Sequence, residues 1–366
     1  MRIKYFNVLL VFLAATTIAL AHNTDPNRLK GRYTKEKKIK KEFNVNADAM
    51  LRINNSYGNV DVTSWNENRV VIEVTVKTNG NNEDKVAEKL DDIDVEFDSS
   101  AGLVYARTQI GREKSSWWNS WNDSNNVNME INYTVKVPVT NSVDLSNDYG
   151  GIFLNRIEGQ AKISCDYGRL ELGELMAENN YLSFDYTSNS TIGYMKSGKI
   201  NADYSSFVLE KSDYVELNAD YTKSTFEDIK SLNYACDYGN LTAENLGKIT
   251  GRGDYLSVRL GQIMGDVNLN ADYGSIKIDK LTSGAGDVVI QSDYAGITIG
   301  YAQDYNFTFN IKLEYAGLSG DDDFEMIKKR IESSDKYYEG YYGNSSSQNN
   351  ININSEYGGV TFKKSY

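Results

Sequence analysis

From Tyr149 onward, apolar and polar residues alternate in short runs that restart at a fixed interval. Counting from that tyrosine, apolar residues fall at +3, +5 and +8, then at two or three places before the next restart: Ile152, Leu154, Ile157, Ala161, Ile163 and Cys165. After Tyr255 the same places hold Val258, Leu260, Ile263, Val267, Leu269 and Ala271. Spacing of two, broken by Gly, Ser or Asn, predicts half-buried strands. Each restart is an Asp-Tyr or Glu-Tyr pair, with tyrosines at Tyr149, Tyr167, Tyr186, Tyr204, Tyr221, Tyr238, Tyr255, Tyr273, Tyr294, Tyr315 and Tyr357. Steps of 17 to 21 residues, and a last step of 42, mark a solenoid with one turn per repeat. The fold class expected is mainly β: a single-stranded parallel β-helix of about 11–12 turns, right-handed as parallel crossovers are, and roughly 50 to 60 Å long at ~4.8 Å per turn.

The tyrosines share the parity of the inward positions, as Leu217, Ala219 and Tyr221 show. They are therefore expected to stack as an internal ladder, with a small residue two places earlier making room and a following Gly taking φ > 0 at a tight corner. Asn55-Ser56-Tyr57-Gly58 repeats the template far upstream, with Val60, Val62 and Trp65 at +3, +5 and +8, and should open the stack. Between that copy and Tyr149, longer alternating runs predict capping strands, and Asp84 to Asp91 predicts a short helix with Val86 and Leu90 on one face. Asp321 to Ser334 reads as a second short helix striped by Phe324, Ile327 and Ile331. A loop rich in Tyr, Ser and Asn follows, containing Tyr337, Tyr338, Tyr341 and Tyr342, before Tyr357 restores a last turn.

The division expected is therefore a signal segment over 1–21, a basic polar leader over 22–42, a first turn with a small α+β cap over 43–145, and the β-helix over 146–366 with an inserted helix and loop at about 318–350. The signal rests on Arg2 and Lys4, an apolar run from Val8 to Leu20, and the small-residue site Ala19-Leu20-Ala21. No other apolar run approaches the ~20 residues of a transmembrane helix. An exported protein is expected, in the periplasm or at the cell surface.

Charge narrows the partners. The whole chain carries a formal −12, yet residues 22–42 hold eight Lys/Arg against three Asp/Glu, which reads as a solvated arm. Beyond Glu42 stand 29 basic and 48 acidic residues, a field that repels phosphate backbones and argues against nucleic acid. Cys165 and Cys236 occupy the same place in repeats four turns apart, roughly 19 Å at ~4.8 Å per turn, whereas a disulfide tolerates about 7 Å between Cα atoms. Two buried free thiols are expected.

Two sets of residues are candidates for a site. Aspartate precedes each tyrosine from Tyr149 to Tyr294, so neighbouring carboxylates ~4.8 Å apart repel by roughly 1 to 3.5 kcal/mol. Either local Asx turns and counter-ions offset the repulsion, or Asp166, Asp185, Asp203, Asp220, Asp237, Asp254 and Asp272 hold a row of weak Ca²⁺ sites. No other cofactor is expected. The second set is Trp117, Trp118 and Trp121, which either bind a sugar or protein partner or fold back as a lid over the solenoid mouth. Enzyme chemistry is poorly served: the single histidine is His22, and neither a P-loop nor zinc-spaced cysteines occur.

The opening Lys-Glu-Phe-Asn-Val, the Leu51 to Gly58 turn, Trp65, the Tyr133-Thr134-Val135-Lys136-Val137-Pro138 strand and the repeated Asp-Tyr-Gly turns together resemble the adhesin-like domain-of-unknown-function family of bacterial envelope proteins, in its Bacteroidetes forms. That resemblance spans nearly all of the chain after the signal, and it brings no catalytic or binding residues with it. It implies a non-enzymatic adhesion, scaffold or sensing surface for an envelope or cell-surface protein or glycan. The alternative is a carbohydrate-active enzyme, a polysaccharide lyase or hydrolase, for which a groove joining two or three carboxylates with Arg169, Arg252 or Arg259 would speak.

Overall fold

A computed structural model describes residues 30–111 and 127–365. The expected signal segment and Trp117, Trp118 and Trp121 lie outside the described residues. Strands β1 (Tyr33–Asn44), β2 (Met50–Ser56), β3 (Val60–Trp65) and β4 (Arg69–Gly80) come first, followed by helix α1 (Glu83–Asp91) and by β5 (Ile93–Ser100), β6 (Leu103–Ile110) and β7 (Asn128–Pro138). Short strands follow in β8 (Ser142–Asp148), β9 (Ile152–Ile157), β10 (Ala161–Asp166), β11 (Leu170–Leu175) and β12 (Asn180–Asp185). Longer ones are β13 (Ser190–Asp203), β14 (Ser206–Asn218), β15 (Lys223–Ala235), β16 (Gly239–Asp254), β17 (Leu256–Ile263), β18 (Val267–Leu281) and β19 (Val288–Ala302). The chain ends with β20 (Phe307–Glu314), β21 (Leu318–Ser319), β22 (Glu325–Glu332), β23 (Asp335–Tyr342), β24 (Asn350–Glu356) and β25 (Val360–Ser365).

All 25 strands belong to one mixed hydrogen-bonded network, and the fold is mainly β with one helix among the described residues. Two runs of parallel pairing dominate it. In the first, β2, β8, β10 and β12 lead into the C-terminal halves of β13 to β16, the N-terminal halves of β18 and β19, and β24. The second joins β3, β9 and β11 to the N-terminal halves of β13 to β16, then β17, the C-terminal halves of β18 and β19, and β25. Each residue pairs with the one a repeat later, Asp166 with Asp185 and Leu217 with Tyr234 for example, so like positions form columns. The inward columns make one continuous core. Phe184 on the first run meets Phe207 on the second edge to face, with ring centroids 5.5 Å apart. Each fully buried Leu or Ile here contributes roughly 1.5–3 kcal/mol.

Antiparallel strands finish both ends. At the N-terminal end, β6 and β7 lie parallel against β2 and β3, β5 backs onto β6, and β4 then β1 back onto β7. Helix α1 forms where the sequence predicts it, capped by Asn82, whose side chain accepts the Lys85 N–H, with Val86 and Leu90 buried. It packs against β4, β1 and β5, strands of both runs.

Several expectations are overturned. The basic leader is no free arm from Tyr33 onward, because twelve residues pair with β4 and alternate half-buried with exposed positions. Residues 321–334 form no helix: β22 turns through Ser333 (φ 55°) into β23, an antiparallel hairpin that also absorbs Tyr337 to Tyr342. The helical stripe misled because Ile327 and Ile331 are exposed and only Phe324 is buried. Pairing of β23 with β20 decides the matter, and that partner is distant in sequence. Tyr357 is also not in the last turn. Strand β24 inserts between β19 and β20, so Tyr357 stacks between Tyr294 and Tyr315.

Candidate functional site

The tyrosines form one row of twelve, with successive ring centroids 4.6 to 5.2 Å apart and planes within 10° of parallel. They stack as expected but face the wrong way: eleven are 44% to 59% exposed and Tyr57 is half-buried. The cause is local. Every one of the twelve has φ between 51° and 65°, so the left-handed residue at the corner is the tyrosine itself and the in-out alternation is reset there. Such a conformation costs a non-glycine residue about 1–2 kcal/mol, and each offset-stacked pair returns ~0.5–1.5 kcal/mol beyond its buried area. Neighbouring rings cover one another's faces, leaving edges and hydroxyls outward. Loss of water around the ring, then the neighbouring phenols and aspartates, holds Tyr167, Tyr204, Tyr238 and Tyr273 above the ordinary phenol range.

The glycine after the tyrosine has a different role from the one expected. Gly150, Gly168 and Gly274 have no positive φ, but a Cβ on any of them would collide with a backbone carbonyl of the turn before. Where Thr187, Ser205 and Thr222 stand instead, their hydroxyls are buried and link three turns, with Thr187 N–H donating to Ser205 Oγ (3.0 Å) and Ser205 N–H to Thr222 Oγ1 (3.1 Å).

Beside the rings runs the aspartate row, and its solution to charge is not the local Asx turn expected. The N–H groups of Asp185, Asp203, Asp220, Asp237 and Asp254 each donate to the carboxylate Oδ1 of the aspartate one turn earlier, at 2.9 to 3.2 Å. Five carboxylates thus stitch one repeat to the next. Asp148, Asp185 and Asp254 are still held above the usual carboxylate range, first by desolvation and then by neighbouring aspartates, with a bond from the Asp203 backbone opposing the rise at Asp185. The seven Ca²⁺ candidates lie in this single file. Among the described residues no group of three or more Asp, Glu, Cys or His gathers as a cation site.

An open groove of about 630 Å³ lies along the same outward face, lined by Asn201, Asn218, Arg252 and Asn270 beside Asp203 to Asp272 of the row. Three residues before each tyrosine, paired strands present Asn201, Asn218, Ala235, Arg252 and Asn270 in succession, and the short Ala235 leaves the hollow between its larger neighbours. A second hollow of about 450 Å³, lined by Glu216, Asn233, Thr250 and Asn268, shares Asn218 and Arg252 with the first. Arg252 is exposed, and its charge opposes the rise at Asp254. Of the three arginines singled out from the sequence, it alone lies here. Arg169 pairs with Glu171 over the Phe153 ring, and Arg259 pairs with Asp279, both on the other parallel run. Cys165 and Cys236 are buried free thiols, raised to about 12 chiefly by burial, and Cys236 borders the groove beside Ala235.

No family model and no curated protein sequence matches the chain. Solved structures do. A "putative cell adhesion protein" from Clostridium sporogenes is 13% identical, covering 91% of this chain and 100% of that one at a TM-score of 0.20. A "putative adhesin" from Parabacteroides distasonis is 12% identical, covering 71% and 92% at 0.29, and a "putative lipid binding protein" from the same species is 9% identical, covering 89% and 96% at 0.28. The structural neighbours of this chain thus include adhesin-named proteins of Bacteroidetes and Clostridium beside one with a lipid-binding name.

Sequence reasoning missed the groove because a hollow made by one alanine among asparagines needs the register of five strands to be visible. It also missed a polar network inside the core. Asn55 and Asn147, two residues before their tyrosines, join at 3.0 Å, and Thr108, itself bonded to Tyr133, donates to Asn55. Two asparagines in a column otherwise filled by Cys, Ala, Gly, Ser, Phe and Leu were the available signal.

Proposed function

We propose that the two parallel runs coil as one right-handed β-helix whose outward polar face makes this an exported, non-enzymatic binding protein of the cell envelope, adhesin-like or scaffolding. The observation that carries the reading is the groove of Asn201, Asn218, Asn270 and Arg252 set in a face that repeats turn after turn. Amide, carboxylate and guanidinium groups on a rigid sheet suit a polar extended chain, and an envelope glycan fits them better than an apolar ligand does. Sugar stacking on the tyrosine row is not part of this reading, since the ring faces are taken by neighbouring rings. Retention of envelope glycans on immobilised protein is the test. Ala235→Trp, which fills the hollow, and Arg252→Ala should each reduce retention at least tenfold without lowering the melting temperature. Equal retention by both variants and the parent would remove the groove from the proposal, and retention of envelope proteins alone would replace the glycan by a protein partner.

One observation favours a second reading, a polysaccharide lyase or hydrolase: the groove does bring Asp237, Asp254 and Asp272 together with Arg252. Against it, the same carboxylates recur on turns outside the groove, where they tie one turn to the next. Release of reducing ends from a polysaccharide panel, abolished by Arg252→Ala and by Asp254→Asn, would establish the enzyme.

A further inference from the structure

We propose that copies of this chain associate head to tail, the β22 edge of one pairing antiparallel with the β5 edge of the next. At the C-terminal end of the first parallel run the order is β24, β20, β23, β22. At its N-terminal end it is β2, β6, β5. Among the described residues β22 has a ladder only with β23 and β5 only with β6, so each presents one open edge. Both strands are eight residues long. Strand β22 runs in the sense of the parallel run and β5 runs against it, so a copy stacked by simple continuation brings the two together as antiparallel neighbours.

Their side chains match in both charge and polarity. The exposed acidic positions of β5 are Asp94, Glu96 and Asp98 on its outward side, and β22 carries Lys328 and Arg330 on the same side, with Lys329 between them on the other. Strand β22 also leaves Ile327 68% and Ile331 55% exposed, while β5 has Val95 and the half-buried Phe97 on the side turned to the core. The second parallel run repeats the complementarity. Its N-terminal edge is β1, with Lys35, Lys37, Lys38, Lys40 and Lys41 against Glu36 and Glu42, and its C-terminal edge is the two-residue β21, followed after Gly320 by Asp321, Asp322 and Asp323. Charged edges guard open sheets against pairing when both ends carry one sign. Within each run the two edges carry opposite signs, so continuing both runs from one copy into the next sets acidic against basic on each of them, while an edge set against its own kind is repelled. A contact of that kind does not close on itself, so it builds linear oligomers.

The experiment uses the full chain in sedimentation across a concentration series. At low salt the weight-average mass should rise at least about twofold and return to the monomer as salt approaches 1 M, where the Debye length is about 3 Å. Asp94→Lys/Glu96→Lys/Asp98→Lys and Lys328→Glu/Lys329→Glu/Arg330→Glu should each abolish the rise, and mixing the two variants should restore it, since the altered head of one then fits the altered tail of the other. Carbodiimide cross-linking of the unaltered chain supplies a readout free of folding effects, joining the 93–100 peptide of one copy to the 325–332 peptide of another. A monomer at every salt and concentration, association indifferent to both charge reversals, or cross-links only between like ends would each overturn the proposal.

Discussion

The column of residues four places before each tyrosine and the tyrosine row itself recur at the same interval on the same turns, yet one is sealed and the other open. Ile163, Leu182, Ile200 and Leu217 are fully buried, whereas Tyr167, Tyr186, Tyr204 and Tyr221 have about half their surface in solvent. The first column lies in extended strand, where alternate residues share a face. The second sits where φ turns positive, and in-out bookkeeping ends there. Regular recurrence therefore identifies a stack without saying which face of the sheet a column occupies; the backbone conformation at that column decides.

Truncation within the two columns should break them unequally. Leu217→Ala removes a buried side chain between Ile200 and Tyr234 and should cost about 2–5 kcal/mol, read as a lower urea midpoint with an unchanged slope. Tyr221→Ala loses two stacking contacts of ~0.5–1.5 kcal/mol each and should cost less. If the tyrosine variant were the more damaging of the two, the row would belong to the core energetically despite its exposure.

Glycine at the corner separates the ring from the backbone that carries it. Tyr221→Gly loses the same two contacts but lifts the left-handed penalty that alanine retains, so it should be more stable than Tyr221→Ala by about 1 kcal/mol. Equal stability of the two variants would mean that the corner is not held in that conformation in solution.

How much of this was legible in the sequence depended on how far away the deciding partner lay. Strands, their alternation, the upstream copy at Tyr57 and α1 were readable from residues within a few places of one another, and the two unpaired thiols from the count of repeats between them. The facing of the tyrosines was not, because Asp-Tyr-Gly allowed φ > 0 at either the second or the third residue, and glycine is the usual host. The mistaken helix over 321–334 had the spacing of one. What overrode it was a ladder to β23 and thence to β20, as long-range pairing overrides weak local preference. Likewise, the carboxylate bonds of the aspartate row join residues 17 to 19 apart, so only the register of stacked turns reveals that the charge is shared with backbone N–H groups rather than with a local turn.

That shared charge gives the finest distinction between a column held by packing and one held at a corner. Asp254 is raised above the usual carboxylate value by desolvation, then by Asp237 and Asp272, with Arg252 opposing. The folded chain thus binds this proton more tightly than the unfolded one. The charged carboxylate lowers stability above its folded pKa and stops doing so as pH falls through it toward the unfolded value. Asp254→Asn removes the charge while leaving intact the bond from its own N–H to Asp237. At neutral pH and low salt the variant should therefore melt slightly higher than the parent, a gain within the ~0–1 kcal/mol range of exposed charges. The gain should shrink as pH falls toward the ordinary carboxylate value, and also as salt is added at neutral pH. A gain that persisted at acid pH would assign it to packing instead, and a loss at neutral pH would show that attraction to Arg252 outweighs repulsion along the row.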